Sequence, residues 1–283
     1  MPRFKLEMAY WASYMHPRSQ DPAIQDQQDE RYLWEPYAPG TSVGPREPQS
    51  LREKIAAGIH QQLYRLAAGK SGFMNISGIS DIILHRMFVE LDIYYHHDLK
   101  DAEGRMRPAR QLIRGELARL LEKHRGRQIL LLAHSMGAII AYDVLAHTVP
   151  DIPIHTFLTF GAPLGFPVIM KKIRQEMGLS MDTDVPLPAP ASITHKWLNF
   201  FDPDDVTCLN YNLRNVYREN IHKVRPFDEI ACNNFECNGV KNPHKCYGYL
   251  RTAEVSRALY DFLVLENASL LRRIGWVFKR PVV

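Results

Sequence analysis

Residues 129–142, with the sequence Ile-Leu-Leu-Leu-Ala-His-Ser-Met-Gly-Ala-Ile-Ile-Ala-Tyr, constrain the fold of this chain more than any other segment. The short apolar run at its start is typical of a strand buried on both faces, as in a parallel sheet covered by helices. The run ends at His134, and small and apolar residues then recur at helical spacing through Leu145. The segment therefore predicts a strand, a sharp turn and a helix, with Ser135 at the apex of the turn.

A serine between a strand and a helix is the context of a nucleophile elbow, whose usual pattern is Gly-x-Ser-x-Gly. In such a turn the serine backbone is strained and its hydroxyl is lifted off the edge of the sheet. Ala133 stands at the first glycine position, and we expect small residues at 133 and 137 to let the strand and the helix approach closely. The alternative is an ordinary strand-to-helix turn in which Ser135 only caps the helix.

Strand-like and helix-like segments alternate along the rest of the chain. Besides the strand before Ser135, period-2 and apolar runs predict strands over residues 4–15, 156–160 and 196–201. Apolar residues at helical spacing predict helices over residues 51–68, 80–95, 108–121, 167–177 and 253–265. This alternation indicates an α/β fold with a mostly parallel central sheet and helices on both faces.

Length and composition fit one large domain over residues 1–283. The chain is 46% hydrophobic and 23% charged, which is ordinary for a globular protein with a sizeable core. Residues 18–50 are polar and show no regular pattern, and a loop of that length is either functional or poorly ordered. Together with the predicted helices at 51–68 and 80–95, this loop makes residues 18–100 an insertion that could act as a lid.

Charge and hydropathy narrow the classes of partner and location. The net charge is +4, and the basic residues form no stripe interleaved with aromatics, so nucleic acid is not an expected partner. The first residues lack the apolar core of a signal peptide and the four cysteines are irregularly spaced, which favours the cytoplasm. The apolar and basic segment 270–280 fits a peripheral membrane contact, although packing on its own domain is the favoured interpretation. The oligomeric state is not indicated.

From the elbow, the partners of Ser135 in a serine hydrolase site can be sought in the order in which such residues follow one another along the chain. In the fold typical of this motif, an acid after a later strand and then a histidine follow the serine. His244 lies just before the last predicted helix, and imidazole titrates near neutral pH, so it can take the proton of Ser135. The backbone N–H of Met136 would bind the oxyanion. Three candidate acids follow the predicted strand at 196–201, at the sheet edge where such sites form: Asp202, Asp204 and Asp205.

Four segments resemble the α/β-hydrolase superfamily, in particular its bacterial lipase-like and esterase-like members: His-Ser-Met-Gly at 134–137, Phe-Gly-Ala-Pro-Leu-Gly at 160–165, Asn-Phe-Phe-Asp-Pro-Asp-Asp-Val at 199–206, and His244 before Tyr-Gly-Tyr-Leu at 247–250. The resemblance covers about half the chain, from Arg127 onward, plus residues around Trp11. It implies that Asp205, directly before a valine, is the triad acid, with Asp204 and Asp202 as reserves.

Family members normally begin with a strand that ends in His-Gly and whose loop supplies a second oxyanion donor. Nothing before Phe4 fits that strand, and the predicted strand at 4–15 resembles the second strand of the family. Three explanations stay open: a truncated amino end, a donor from another segment, or an incomplete oxyanion hole.

The resemblance and the motifs together predict a serine hydrolase that cleaves a small-molecule or lipid carboxylic ester through an acyl-enzyme, without metal or cofactor. His134 beside the nucleophile is expected to pack rather than act as the base, because a residue adjacent on the elbow points away from the hydroxyl. Two alternatives remain: a non-catalytic binding or scaffold protein with the same fold, and an acyltransferase or thioesterase with the same triad.

Overall fold

The computed structural model describes most of the chain, and the longest gap between described residues is 38–78. The described residues are 4–16, 18–29, 31–37, 79–182, 185–208 and 212–265. The predicted helix at 51–68, the middle of the predicted 18–100 insertion and the segment 270–280 lie outside them. The lid prediction therefore stays a prediction.

Helices and strands alternate through the described residues. The helices are α1 (Ala12–Met15), α2 (Ile79–His96), α3 (Ala109–Lys123), α4 (Met136–Asp143), α5 (Pro167–Glu176), α6 (Leu213–Val216), α7 (Cys246–Leu250) and α8 (Ala253–Tyr260). The strands are β1 (Asp98–Lys100), β2 (Met106–Pro108), β3 (Leu130–His134), β4 (Ile154–Phe160), β5 (Leu187–Pro188), β6 (Ile193–Phe201), β7 (Tyr217–Arg218), β8 (Pro226–Ile230), β9 (Glu236–Cys237) and β10 (Val240–Lys241). Single π-helical turns, Val144–Thr148 and Asp261–Leu265, extend α4 and α8.

A four-stranded parallel sheet in the order β3-β4-β6-β8 forms the centre. Each connection between neighbouring strands contains at least one helix, as parallel pairing requires. Leu132 is paired with Leu158, and Leu158 with Leu198, so the three apolar strands are in register. The prediction of an α/β fold with a parallel central sheet is confirmed.

Successive strand residues point to opposite sides of the sheet. A core cluster covers each of the two faces. Phe157 and Trp197 belong to the larger core cluster, which includes buried residues of α2 to α5. Leu158 and Phe200 belong to a second cluster with residues of α7 and α8, such as Tyr249. Burial on both faces explains why β3, β4 and much of β6 are apolar without alternation.

The predicted strand at 4–15 is wrong. Residues 4–11 have no regular secondary structure, and α1 follows them. This segment lies against α3: Glu7 accepts a hydrogen bond from Lys123 at 3.1 Å, and Tyr14 lines a surface pocket together with Gln111 and Gly115. Over residues 4–10 the even-numbered side chains are exposed, with Phe4 71% exposed, whereas Glu7 and Ala9 are partly buried. An extended segment that packs one side on a helix shows the same period-2 alternation as a strand, so the pattern did not distinguish them.

Because residues 4–15 form no strand, no described strand pairs with β3 on its outer side, and β3 is an edge strand of the sheet within the described part of the chain.

No described helix is long and apolar enough to cross a membrane.

Candidate active site

The turn between β3 and α4 holds Ser135 in a strained conformation. Its φ is 52° and its ψ is −127°, and a residue with a side chain in so sparsely populated a region costs about 1–3 kcal/mol. The N–H of Ser135 donates to the carbonyl of Phe160 on the neighbouring strand at 3.3 Å. The side chain makes no helix-capping hydrogen bond. The interpretation of Ser135 as a simple helix cap is therefore wrong.

The two small residues beside Ser135 are not equally constrained. Ala133 is buried in the core. A Cβ placed on Gly137, however, would meet no atom within 4 Å outside its own helix backbone, so alanine also fits there. Glycine itself is therefore not required at position 137, and the requirement for a small residue stays a prediction.

Three side chains that lie far apart in sequence form one hydrogen-bonded chain. His244 Nε2 lies 2.9 Å from Ser135 Oγ, across 109 residues of sequence. His244 Nδ1 lies 2.9 Å from Asp205 Oδ2 and 3.1 Å from Oδ1. The side chain of Asp205 is fully buried, and that of His244 is 12% exposed. The structure thus brings Ser135, His244 and Asp205 together at the carboxyl end of the sheet.

The other two candidate acids lie elsewhere. Asp204 is exposed. Asp202 is buried and accepts hydrogen bonds from the backbone N–H groups of Asp204 and Asn233, which tie together the loops after β6 and β8. Burial raises the pKa of Asp202 to about 7. Asp202 therefore supports the loop, while Asp205 is the acid that contacts His244.

Asp205 is surrounded by donors that favour its ionised form. The backbone N–H of Thr207 donates to Oδ1 at 2.9 Å, and Thr207 Oγ1 lies 2.7 Å from the same oxygen. The Tyr249 hydroxyl donates to Oδ2 at 2.8 Å. Burial alone would raise the pKa of Asp205, but the neighbouring His244 and the hydrogen bonds from His244 and Thr207 outweigh it and lower that pKa. Asp205 is therefore a carboxylate that can stabilise a positively charged imidazole.

Hydrogen bonds to backbone carbonyls hold the loop that carries His244. We name this loop, residues 242–245, the base loop. The Asn233 side-chain amide donates to the carbonyls of Pro243 (2.7 Å) and Lys245 (2.8 Å). His134 Nε2 lies 2.8 Å from the carbonyl of His244, and burial together with the adjacent His244 ring lowers the pKa of His134 to about 3. His134 is therefore neutral and donates one proton to the base loop.

Three side chains of the site converge on the backbone of Gly161. It directly follows β4, has a φ of +55°, and its carbonyl oxygen lies 3.1 Å from Thr207 Oγ1. A Cβ at this position would lie 3.0 Å from Asp205 Oδ2 and 3.2 Å from both His134 Nε2 and His244 Nδ1. Only glycine leaves room for these three side chains to meet in their present positions.

An oxyanion donor is available at the start of α4. Met136 is the first helical residue, and the first N–H groups of a helix have no partner within it. A second donor is not identified among the described residues. These residues place no strand on the outer side of β3, so the source of a second donor stays open.

A second charged cluster lies at the far end of α4. Asp143, His147 and Glu176 have potential metal-ligating atoms within 4.8 Å of one another. The guanidinium of Arg110 already bridges the two carboxylates, with hydrogen bonds of 2.7 Å to Asp143 Oδ2 and 2.7 Å to Glu176 Oε1. Tyr94 also donates to Asp143. The guanidinium of Arg110 thus supplies a positive charge within the cluster. The cluster connects helices α2, α3, α4 and α5.

Four residues of the site were given no role from the sequence: Gly161, Thr207, Asn233 and Tyr249. Gly161 and Tyr249 nevertheless lie in segments that carry the resemblance. A glycine at the end of a strand next to β3 could have suggested Gly161, and Thr207, two residues after Asp205, matches the local turn hydrogen bonds typical of aspartate. Asn233 has no such signal, since its partners lie on a separate loop.

Comparisons with known proteins found no relative of this chain. No protein-family model, curated protein or solved structure matches it.

Proposed function

We propose that this protein is a serine hydrolase of the α/β-hydrolase type that cleaves a carboxylic ester through an acyl-enzyme. The observation that supports the proposal best is the continuous hydrogen-bonded chain from Ser135 Oγ through His244 to the buried Asp205. The strained backbone of Ser135 at the sheet edge adds support, because strain of this kind concentrates at functional sites.

Each residue has a defined part in the proposed reaction. Ser135 Oγ attacks the ester carbonyl carbon while His244 Nε2 takes its proton, and Asp205 stabilises the resulting imidazolium. The N–H of Met136 donates to the oxyanion. The imidazolium then gives its proton to the departing alkoxide, which leaves as an alcohol. Water, deprotonated by His244, attacks the acyl-enzyme, and the proton returns to Ser135 as the acid is released.

The test combines covalent labelling with turnover. We expect a fluorophosphonate probe to label Ser135 in the wild-type chain, and short p-nitrophenyl esters to be hydrolysed. Ser135→Ala should abolish both. Asp205→Asn should lower kcat by about 10⁴-fold, as expected when the imidazole loses its carboxylate. The matched control is Asp204→Asn, which removes a neighbouring exposed carboxylate and should leave kcat unchanged.

The outcomes separate the alternatives. Turnover undiminished in Ser135→Ala would refute the assignment of the nucleophile. A folded wild-type chain that is neither labelled nor active would favour a non-catalytic binding protein. Analysis of products with competing alcohol, amine and thiol acceptors, and with thioester substrates, would distinguish an acyltransferase or a thioesterase from an esterase.

A further inference from the structure

The base loop also contacts residues from near the start of the chain. Residues 31–37 precede the loop by more than 200 positions. Trp34 accepts a hydrogen bond through its carbonyl from Cys237 Sγ at 3.8 Å. The ring of Tyr37 packs edge-on against Tyr247, with 5.2 Å between the centroids. The segment therefore contacts β9 before the base loop and α7 after it.

Glu35 is the polar centre of this contact. Its two carboxylate oxygens accept from Asn242 Nδ2 at 2.9 and 3.1 Å. Its Oε2 also lies 2.7 Å from Lys245 Nζ. Glu35 thus binds the first and the last residue of the base loop, one on each side of His244.

The contact continues directly to His244. The side-chain oxygen of Asn242 accepts from the backbone N–H of His244 at 3.1 Å. Asn242 is 5% exposed, so its amide has little access to water. Glu35 fixes the amide group of Asn242, and that amide group fixes the backbone of His244.

Burial makes this a stronger contact than an ordinary surface ion pair. The side chains of Glu35 and Lys245 are 21% and 24% exposed, whereas a fully solvated pair contributes about 0–1 kcal/mol. The carboxylate makes charge-assisted bonds to both partners, and such bonds are roughly twice as strong as neutral ones.

We propose that Glu35 is a positioning residue, which holds the base loop so that the His244 imidazole lies between Ser135 and Asp205. This inference rests on the proposed function. The hydrolytic site is then complete only when residues 31–37 are docked on the base loop, although these residues contribute no group to the chemistry.

The test compares variants of the full-length chain. Glu35→Ala should lower both kcat for a short p-nitrophenyl ester and the rate of fluorophosphonate labelling by about tenfold, equal to 1.4 kcal/mol, with KM unchanged. Glu35→Gln retains an acceptor for Asn242 but loses the charge, so its kcat should fall between those of the wild type and Glu35→Ala. The matched control is Glu116→Gln, which removes the charge of a carboxylate of similar exposure on α3, paired with Arg119 at 2.7 Å, and should leave kcat unchanged.

Two further readouts distinguish positioning from a general loss of stability. Salt screens partly exposed charges, so wild-type kcat should fall with added salt, while the kcat of Glu35→Gln should not. The second readout is the imidazole Nδ1–H proton signal of His244 in an NMR spectrum, assigned by its loss in His244→Ala. In Glu35→Ala this signal should broaden or shift, because the hydrogen bond to Asp205 is no longer fixed.

The NMR readout does not depend on catalysis. If the wild-type chain is inactive and unlabelled, the proposed function fails, and the NMR signal alone decides whether Glu35 positions His244. A Glu35→Ala variant with wild-type kcat and an unchanged His244 signal would overturn the inference. A variant that loses only thermal stability, with normal kcat per folded molecule and normal salt dependence, would overturn it as well.

Discussion

Replacement of Gly161 by alanine tests whether the three side chains around it determine activity by their close approach. The new Cβ would lie 3.0 Å from Asp205 Oδ2 and 3.2 Å from the nearest nitrogens of His134 and His244, each a few tenths of an ångström inside ordinary contact. A misplacement of 1 Å can lower a rate about a hundredfold, so a shift of this smaller size should lower kcat by about tenfold. The φ of +55° adds about 1–2 kcal/mol of backbone strain.

A matched control separates the strain from the contact. Gly178 has a φ of +62°, and a Cβ there would meet nothing within 4 Å. Gly178→Ala should lose about 1–2 kcal/mol of unfolding free energy in urea, and Gly161→Ala at least as much because its Cβ also meets three side chains. Only Gly161→Ala should lose kcat for a p-nitrophenyl ester. A Gly161→Ala variant with wild-type kcat, or an equal loss of kcat in Gly178→Ala, would refute the packing argument.

Two further predictions concern the buried groups behind the site. Tyr249→Phe removes the hydroxyl that donates to Asp205 at 2.8 Å and accepts from the N–H of Asp202 at 2.9 Å, and it should lower the unfolding free energy by about 1–3 kcal/mol in urea titrations; an unchanged midpoint would contradict this. Burial raises the pKa of Asp202 to about 7 from an ordinary 3.8, so its protonated form is favoured in the folded state. Its contribution to stability is present in full below the ordinary pKa and should decline by roughly 1.4 kcal/mol per pH unit as the pH rises toward 7. Unfolding measured between pH 5 and 8 should show this decline in the wild type and a flatter profile in Asp202→Asn, and equal slopes in both would contradict it.

The strands of the sheet were predictable because burial on both faces forces an apolar run. Residues 130–134, 156–160 and 196–201 have such runs, and each lies in a strand of the parallel sheet. The segment at 4–15 misled the prediction, since its alternation comes from contact with α3 rather than from pairing with a strand. Strand β8, with the sequence Pro-Phe-Asp-Glu-Ile, was not predicted because its polar residues interrupt the apolar pattern.

The site was predictable where chain order and motif restrict it, and less so where only three-dimensional contacts decide. Ser135 and His244 were indicated by their place relative to predicted elements, and the structure brings them within hydrogen-bond distance. The choice of Asp205 over its neighbours depended on a resemblance, because three carboxylates within four residues give the same signal. Glu35 could not be found, since its partners lie more than 200 residues away and no local pattern connects them.

If the proposed function holds, the spread of these groups along the polypeptide also determines when reactivity would arise during synthesis. The ends of β3, β4, β6 and β8 supply Ser135, Gly161, Asp205 and Asn233 in that order, and His244 follows the last of them. An unassisted serine hydroxyl is a poor nucleophile. During translation, Ser135 is therefore synthesised more than a hundred residues before His244 and has no base in that interval. Reactivity toward esters would arise only after the last sheet strand, β8, and His244 have been synthesised.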